Sequence, residues 1–346
     1  MSSIFFQLLI ILSSFLSTLM ITGWIKKLAL DQSILDIPNK RSSHKLSTPK
    51  GGGVVFAIVL SVVLLVLSLF RHEQLPFFLV VSIAVISISY LGWLDDRYDI
   101  SPCARLPLQF GLAGLIIYLF GPFKVIQFGV MSIDATLFLV VVSLFWLVWM
   151  INLYNFMDGI DGLATGQAII AAVTLDLWFI YSGGIEFGLI CLVVASIGLG
   201  FLVWNWFPAR IFLGDVGSTT LGMFFGFCTL VGVNQYNMPT DAFVLLFGVF
   251  LGDATFTLMR RLLKGENIAK AHRSHLYQRA VKLGYSHGQV AASVMILCIF
   301  MAVMATMVVV GLSPLWLWYL LGGLALLGSA MVILAKEIGH TEVNEQ

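Results

Sequence analysis

Leu137-Phe-Leu-Val-Val-Val-Ser-Leu-Phe-Trp-Leu-Val-Trp-Met-Ile151-Asn152-Leu-Tyr-Asn155-Phe-Met-Asp158-Gly-Ile-Asp161-Gly162 joins an uncharged apolar run to a polar stretch, and a second apolar run follows from about Ala164. The apolar part has the composition of a membrane-crossing helix. From Asn152 onward a polar side chain recurs at every third residue, through Asn155, Asp158 and Asp161. On a helix that spacing keeps all of them in one slowly drifting stripe. Gly159 and Gly162 lie among them and let backbone or ligand approach closely. Carboxylates and carboxamides facing one way at a membrane boundary form a hard, oxygen-rich site that suits Mg²⁺ together with substrate phosphates. A capped helix end followed by a polar turn uses the same residue types, so the rest of the chain has to decide.

The whole sequence has the balance of the first half of that stretch. Of 346 residues, 59% are hydrophobic and 11% charged, and mean hydropathy is +0.98, which excludes an ordinary soluble domain. A net charge of +1 gives no reason to expect nucleic acid as a partner. Apolar runs of helix-spanning length repeat along the chain without the alternation of a membrane β-barrel. Cys103, Cys191, Cys228 and Cys298 are far apart, three of them inside apolar runs, and imply neither a disulfide frame nor a metal knuckle. The first apolar run has no basic residues before it, and Lys26 and Lys27 follow it. This points to an uncleaved first helix with its N-terminus outside.

Apolar spans are expected at 4–25, 52–70, 77–94, 106–121, 135–151, 164–182, 185–206, 217–235, 241–259, 289–311 and 315–335. The chain is therefore an all-α polytopic membrane protein of about eleven transmembrane helices, forming one integral-membrane domain over residues 1–346. Ser182-Gly-Gly184 separates two of the spans, and Gly252-Asp253 marks a polar interruption in another. With the N-terminus outside, 17 of the 19 Lys and Arg residues fall in inner segments 26–51, 95–105, 152–163, 207–216, 260–288 and 336–346, and the outer segments hold Arg71 and Lys124. The positive-inside rule thus sets the N-terminus outside and the C-terminus inside. Segment 122–134 alternates loosely, as a short outer hairpin would.

The polar clusters then fall on one side. Segment 26–51 carries Asp36, His44 and Lys45 and ends in Thr48-Pro49-Lys50-Gly51-Gly52-Gly53, a glycine turn whose backbone N–H groups could hold phosphate. Asp95 and Asp96 close the third span, where adjacent carboxylates oppose the helix dipole and call for a cation, in part Arg97 and Arg105. Asp215 opens the eighth span with Ser218 nearby, either as a simple cap or as a metal ligand beside a positive helix end. Ala271 to Leu283 has the pattern of a short basic amphipathic helix, with His272, His275 and Arg279 on one face. Asp253 is placed to pair with Arg260, and Asp176 has no evident partner. Acidic groups ringed by basic loops at one membrane face fit metal-assisted chemistry on phosphates.

Together, Gly92-Trp-Leu-Asp95-Asp96-Arg97, Asn152-x-x-Asn155-x-x-Asp158-Gly-Ile-Asp161-Gly-Leu163, Asn205-x-x-Pro208 with Phe212-Leu-Gly-Asp215-Val-Gly-Ser218, and Ala271-His272-Arg-Ser-His275-Leu-Tyr-Gln-Arg279 resemble the polyprenyl-phosphate N-acetylhexosamine-1-phosphate transferases of glycosyltransferase family 4. The resemblance covers nearly the whole chain in the same order. It implies a multi-pass protein of the bacterial inner membrane, N-terminus periplasmic and C-terminus cytoplasmic, with an active site at the cytoplasmic face that transfers a sugar-1-phosphate from a UDP-N-acetylhexosamine to undecaprenyl phosphate and releases UMP. The implied cofactor is Mg²⁺, with Mn²⁺ able to substitute. Asp215 matches the family's metal-binding aspartate, with Asn155 as its helper. Asp95, Asp96, Asp158, Asp161, His272 and His275 match its catalytic groups. Arg105 matches a basic residue on phosphate, and Asn205 and Phe212 fall near the uridine pocket. His44, Arg273 and Arg279 are further expected substrate contacts.

The peptidoglycan branch of this family, the phospho-N-acetylmuramoyl-pentapeptide transferases, has three consecutive histidines where this chain has His272-Arg-Ser-His275. O-antigen or other surface-polysaccharide synthesis is therefore the expected role, with N-acetylglucosamine or a deoxy relative such as N-acetylfucosamine as the sugar. A homodimer is compatible with the expectation. A membrane transporter is the alternative from another class, because Asp253 and a broken ninth span look transporter-like. Transport chemistry, however, places its acids near mid-membrane, and here most lie at one face.

Overall fold

The computed structural model describes residues 3–38, 47–70, 75–98, 100–128, 131–267, 272–312 and 315–344. Each expected apolar run is helical. In chain order the helices are α1 (Ser3–Asp31), α2 (Val54–Phe70), α3 (Leu75–Tyr98), α4 (Pro102–Phe120), α5 (Thr136–Phe156), α6 (Leu163–Tyr181), α7 (Ile185–Asn205), α8 (Gly214–Tyr236), α9 (Thr240–Leu246), α10 (Gly248–Leu263), α11 (Leu276–Lys282), α12 (His287–Val309) and α13 (Leu315–Asn344). Among the described residues nine helices are long and apolar enough to cross a membrane. The pair α9 and α10, bent by 77°, would be a tenth, and Val54–Leu69 of α2 is shorter than the rest. Two small antiparallel hairpins complete the chain. β1 (Leu35–Asp36) pairs with β2 (Thr48–Pro49), and β3 (Ile126–Phe128) pairs with β4 (Met131–Ile133), the latter where residues 122–134 alternate.

Helix α8 is the axis of the bundle and is buried from Val216 to Asn234, whereas α1 and α13 lie at the rim. Without a hydrophobic drive between helices in lipid, close packing and polar cross-links hold such a bundle together. Both are visible around α8. A Cβ on Gly92 of α3 would come within 2.6 Å of the Asp215 carbonyl and the Val216 Cα, and a Cβ on Gly53 within 2.3 Å of the Gly217 Cα. Ser89 on α3 and Thr220 on α8 share a hydrogen bond of 2.6 Å. These contacts bring the end of α3, the start of α2 and the start of α8 to one point.

Three local expectations need correction. The Asn/Asp stripe is not one helix face, because α5 stops at Phe156 and Asp158 and Asp161 lie in the turn before α6. That turn ends on Gly162 in the left-handed conformation (φ 73°), which glycine adopts without steric cost. The break in the ninth span falls at Phe247, not at Gly252-Asp253, and those two residues are within α10. Phe247 is fully buried against Tyr154 and Phe225, so packing sets the bend. Finally, the amphipathic helix begins at Leu276, after His275, so His272 and His275 are not on a helix face.

Candidate active site

The ends of α3 and α8 and the α5–α6 turn meet at one end of the bundle, and each brings carboxylates. Asp95 is buried, pairs with Arg105 Nη1 and accepts the Ile100 N–H at 2.8 Å. Arg105 also lies 3.4 Å from Asp215. Asp96 accepts the Val216 N–H at 3.2 Å and lies 3.8 Å from Lys50 Nζ. Burial, reinforced by the charges of Asp215, Asp96 and Asp161, pushes the Asp158 carboxyl well above the usual range, and a hydrogen bond from the Gly214 N–H opposes the shift. Arg105 and Lys50 thus face a larger number of acids. Such an under-compensated cluster of hard oxygen donors fits a divalent cation. Among the described residues no three His, Cys, Asp or Glu side chains form a metal cage on their own. A cation here would complete its shell with phosphate oxygens or water.

Asn155 reaches the same place, with its Nδ2 3.4 Å from Ser218 Oγ at the start of α8. Asn152 does not, since its amide donates to Gln109 at 2.7 Å and to the Val148 carbonyl at 2.8 Å. Asp161 is close enough to influence Asp158, but its carboxylate accepts the Ala209 N–H at 2.9 Å and lies 3.2 Å from His287 Nδ1. It ties the 207–213 loop and the start of α12 to the turn.

The histidine segment packs on this turn from above. The Tyr277 hydroxyl donates to the Phe156 carbonyl at 2.9 Å, and a Cβ on Gly159 would meet that hydroxyl at 2.2 Å. Burial, then the charges of Asp253 and Asp158, push the Tyr277 phenol well up, so it remains a donor. The His272 and His275 rings are 5.0 Å apart. Burial, His275 and Arg261 lower the His272 pKa to about 4, which leaves it neutral at physiological pH, and its Nδ1 is 3.0 Å from Ser274 Oγ.

Several expected substrate contacts are engaged elsewhere. Asn205 is buried. Its oxygen accepts the Gly162 N–H and the Thr165 hydroxyl, each at 3.2 Å, and its nitrogen donates to the Ile211 carbonyl at 3.1 Å. With its carbonyl doubly engaged, it shapes the loop and cannot offer that oxygen to a uridine. Arg279 is buried and pairs in bidentate fashion with Glu337, Nε to Oε1 at 2.6 Å, which turns it toward α13 and away from the acids. Arg97 lies over the rings of Trp93 and Tyr98, so of the two arginines only Arg105 offsets the Asp95-Asp96 pair. In the glycine turn the Gly52 and Gly53 N–H groups are not free for phosphate, since they donate to the Phe212 and Leu213 carbonyls at 2.9 and 2.8 Å. Those bonds hold the half-buried Phe212 beside the turn that presents Lys50. The backbone carbonyl of Arg273 accepts from Lys282 Nζ at 2.6 Å. His44 lies outside the described residues.

Lys50, Asp253, Tyr277 and His287 are the residues that spacing did not single out for the site. Asp253 pairs with the start of α11, and Arg260 is not its partner. For Lys50 the signal was its place in the glycine turn. For Asp253 it was a charge inside an apolar span.

Known proteins resemble this chain over the helices that carry the acids. The family model described as Glycosyl transferase family 4 matches residues 78–233. The chain is 29% identical over 287 residues to the probable undecaprenyl-phosphate N-acetylglucosaminyl 1-phosphate transferase of Bacillus subtilis (strain 168), covering 79% of this chain and 77% of that protein. It is 27% identical over 312 residues to the decaprenyl-phosphate N-acetylglucosaminephosphotransferase of Mycolicibacterium smegmatis, covering 80% and 75%. A phospho-N-acetylmuramoyl-pentapeptide-transferase of Listeria monocytogenes is 32% identical over 212 residues, covering 58% and 65%. The matched residues 78–233 include the end of α3, the α5–α6 turn and the start of α8, where the aspartates converge, and this match and these relatives together support glycosyl transferase family 4 as the family of the chain.

Proposed function

We propose that the protein transfers an N-acetylhexosamine-1-phosphate from a UDP-sugar to undecaprenyl phosphate and releases UMP, as the first step in building a surface polysaccharide such as O-antigen. The observation that carries this reading is the acid cluster beside an apolar cavity of about 490 Å³ lined by Met157, Phe256, Leu276, Tyr277 and Val294. Tyr277 belongs to both, with its ring on the cavity and its hydroxyl on the α5–α6 turn. A substrate that is an isoprenoid at one end and a phosphate at the other fits that arrangement.

In the reaction, an oxygen of the lipid phosphate bonds to the β-phosphorus of the donor, and the bond from that phosphorus to the bridging oxygen of UMP breaks. A phosphate monoester has a second pKa of about 6 and is mostly dianionic at neutral pH, so its attack has little need of a general base. Asp95 and Asp96 therefore act as positioning groups. Asp95 holds Arg105 and Asp96 holds Lys50, and both cations are available to phosphate oxygens. Mg²⁺, held by Asp215 and Asn155 with the neighbouring acids, would neutralise charge on the diphosphate as UMP leaves. Neutral His272 offers a hydrogen bond at the same face, while Tyr277 spends its hydroxyl hydrogen on the Phe156 carbonyl and so holds the segment to the α5–α6 turn. Positioning and charge neutralisation then supply most of the rate.

The peptidoglycan reaction is the second reading, favoured by the Listeria relative and opposed by His272-Arg-Ser-His275. A transporter is disfavoured because the acids gather at one end of the bundle. Purified protein with Mg²⁺, undecaprenyl phosphate and a panel of UDP-sugars should release UMP with an N-acetylhexosamine donor. Turnover of UDP-N-acetylmuramoyl-pentapeptide in place of the simple sugars would establish the second reading.

The reading also requires the site to face the cytoplasm, and the protein carries its own reporter. Cys103 is exposed at the start of α4, close to Arg105, while Cys191, Cys228 and Cys298 are buried. An impermeant maleimide should leave intact cells unlabelled and label Cys103 once the membrane is opened. Labelling of intact cells would put the site on the outer face, out of reach of cytoplasmic UDP-sugars.

A further inference from the structure

Asp253 is an ionisable residue on α10 that the chemistry above does not use. It is buried and forms part of the wall of the apolar cavity. Its Oδ1 accepts the Leu276 N–H at 2.8 Å and the Thr257 hydroxyl at 3.1 Å, and its Oδ2 accepts the Tyr277 N–H at 3.1 Å. His275 Nδ1 lies 3.3 Å from the same Oδ1. A buried carboxylate is costly unless its oxygens are satisfied, and here they are.

Starting a helix needs less than this. A Ser, Thr, Asn or Asp at the cap position supplies its own acceptor. At α11 the cap position is His275, whose own N–H goes to Gln278 Oε1 at 3.3 Å, while the acceptor for the Leu276 and Tyr277 N–H groups comes from another helix, 22 residues before the cap. The bonds therefore fasten α11 to α10. They also fix a ring, because the carboxylate can only accept, so the His275 nitrogen facing it carries the proton. The fastened piece includes the His272 ring, the His275 ring (6.1 Å from that of Phe156) and Tyr277, whose hydroxyl sits on the turn carrying Asp158.

We propose that Asp253 is a positioning residue for the transfer reaction: it holds the His272–Tyr277 segment against the acid cluster and sets the orientation of His275. Asp253 acts through His275 and the first backbone N–H groups of α11, and its carboxylate oxygens are taken up by those bonds and not by the reacting phosphates. The proposal rests on the transferase reading, and its test separates the two. Full-length wild type, Asp253→Asn, His275→Ala and the double variant would be compared in detergent or nanodiscs. One measurement is amide exchange in peptides covering residues 272–283. The other is steady-state kinetics with the active UDP-sugar and undecaprenyl phosphate.

In Asp253→Asn, one oxygen that accepts a backbone N–H becomes an amide nitrogen. Exchange across Leu276 and Tyr277 should rise, and kcat should fall by about tenfold or more, while KM for the lipid stays within about threefold. His275→Ala should lose a similar factor, and the double variant should be no slower than the slower single variant, because the two side chains act as a unit. Asp253→Glu, which keeps both oxygens, should recover part of the rate, and it carries the same comparison if the asparagine variant does not fold. Unchanged exchange, raised exchange with wild-type kcat, or losses that multiply in the double variant would overturn the proposal. If wild type itself transfers no sugar phosphate, the transferase reading fails, and the exchange difference alone decides whether Asp253 holds the segment.

Discussion

Asp215→Asn is expected to leave a folded membrane protein whose transfer rate is lower by about 10²–10³-fold, the range seen when one preorganised electrostatic contact to the transition state is removed. Asp215 opens the most buried helix, lies 3.4 Å from Arg105 and adds to the negative field on Asp158. Asparagine has nearly the same shape and no charge. The variant should therefore keep the packing and lose the hard anionic ligand that a divalent cation needs. Removing one of several crowded carboxylates relieves repulsion, so the metal-free variant should melt no lower than wild type. Two measurements check this: kcat across a Mg²⁺ titration, and the Mg²⁺-dependent rise in Tm, which the variant should lack. Wild-type turnover at limiting Mg²⁺ would remove Asp215 from the metal site.

Gly92→Ala should be nearly as damaging, although the side chain added is one methyl group. The new Cβ would sit 2.6 Å from the carbonyl oxygen of Asp215 and from the Val216 Cα, and neither atom belongs to a flexible side chain. Helix α3 or α8 must then move by several tenths of an ångström or more. Overpacking of this kind costs about 1–3 kcal/mol of stability. The larger effect is on geometry, since Asp95 and Asp96 are on α3 and Asp215 is on α8. A misplacement near 1 Å can lower a rate by about 10²-fold. Gly111→Ala is the matched control, because nothing lies within 4 Å of its Cβ position. Equal activity for the two alanine variants would show that the α3–α8 approach does not set the site.

The helices were legible because apolar runs of spanning length leave few alternatives in a membrane, and residues 122–134 were legible because their alternation has a period of two. The convergence of Asp95, Asp96, Asp158 and Asp215 was legible through the side of the membrane each occupies. What failed to show was which way individual side chains turn. Arg279 pairs with Glu337, 58 residues onward, and nothing in the spacing of the basic segment shows that the last helix packs against it. Asn205 has the residue type of a ligand contact, yet three neighbours claim its amide. The stripe from Asn152 to Asp161 keeps its period across a helix end, and only the Asp158-Gly159 turn chemistry marks the stop. The bend at Phe247 has no glycine or proline beside it except Gly248, and it follows from how aromatic rings pack around the residue.

The enclosure of α8 has a consequence for how the protein comes into being. Its stretch Val216–Asn234 is buried throughout, and its main partners α3 and α5, with α2 and α6, are synthesised before it, while α9 follows it. Ser89, whose hydroxyl pairs with Thr220, waits through 131 residues of chain for that partner. The earlier helices must therefore remain in the bilayer as an open ring, with the polar groups that face α8 still unmatched, until α8 leaves the ribosome and enters the gap. On this order of synthesis α8 is the keystone of the first half of the bundle, and a nascent chain halted before Gly214 is expected to leave the Ser89 hydroxyl and the Asp96 carboxylate without their α8 partners.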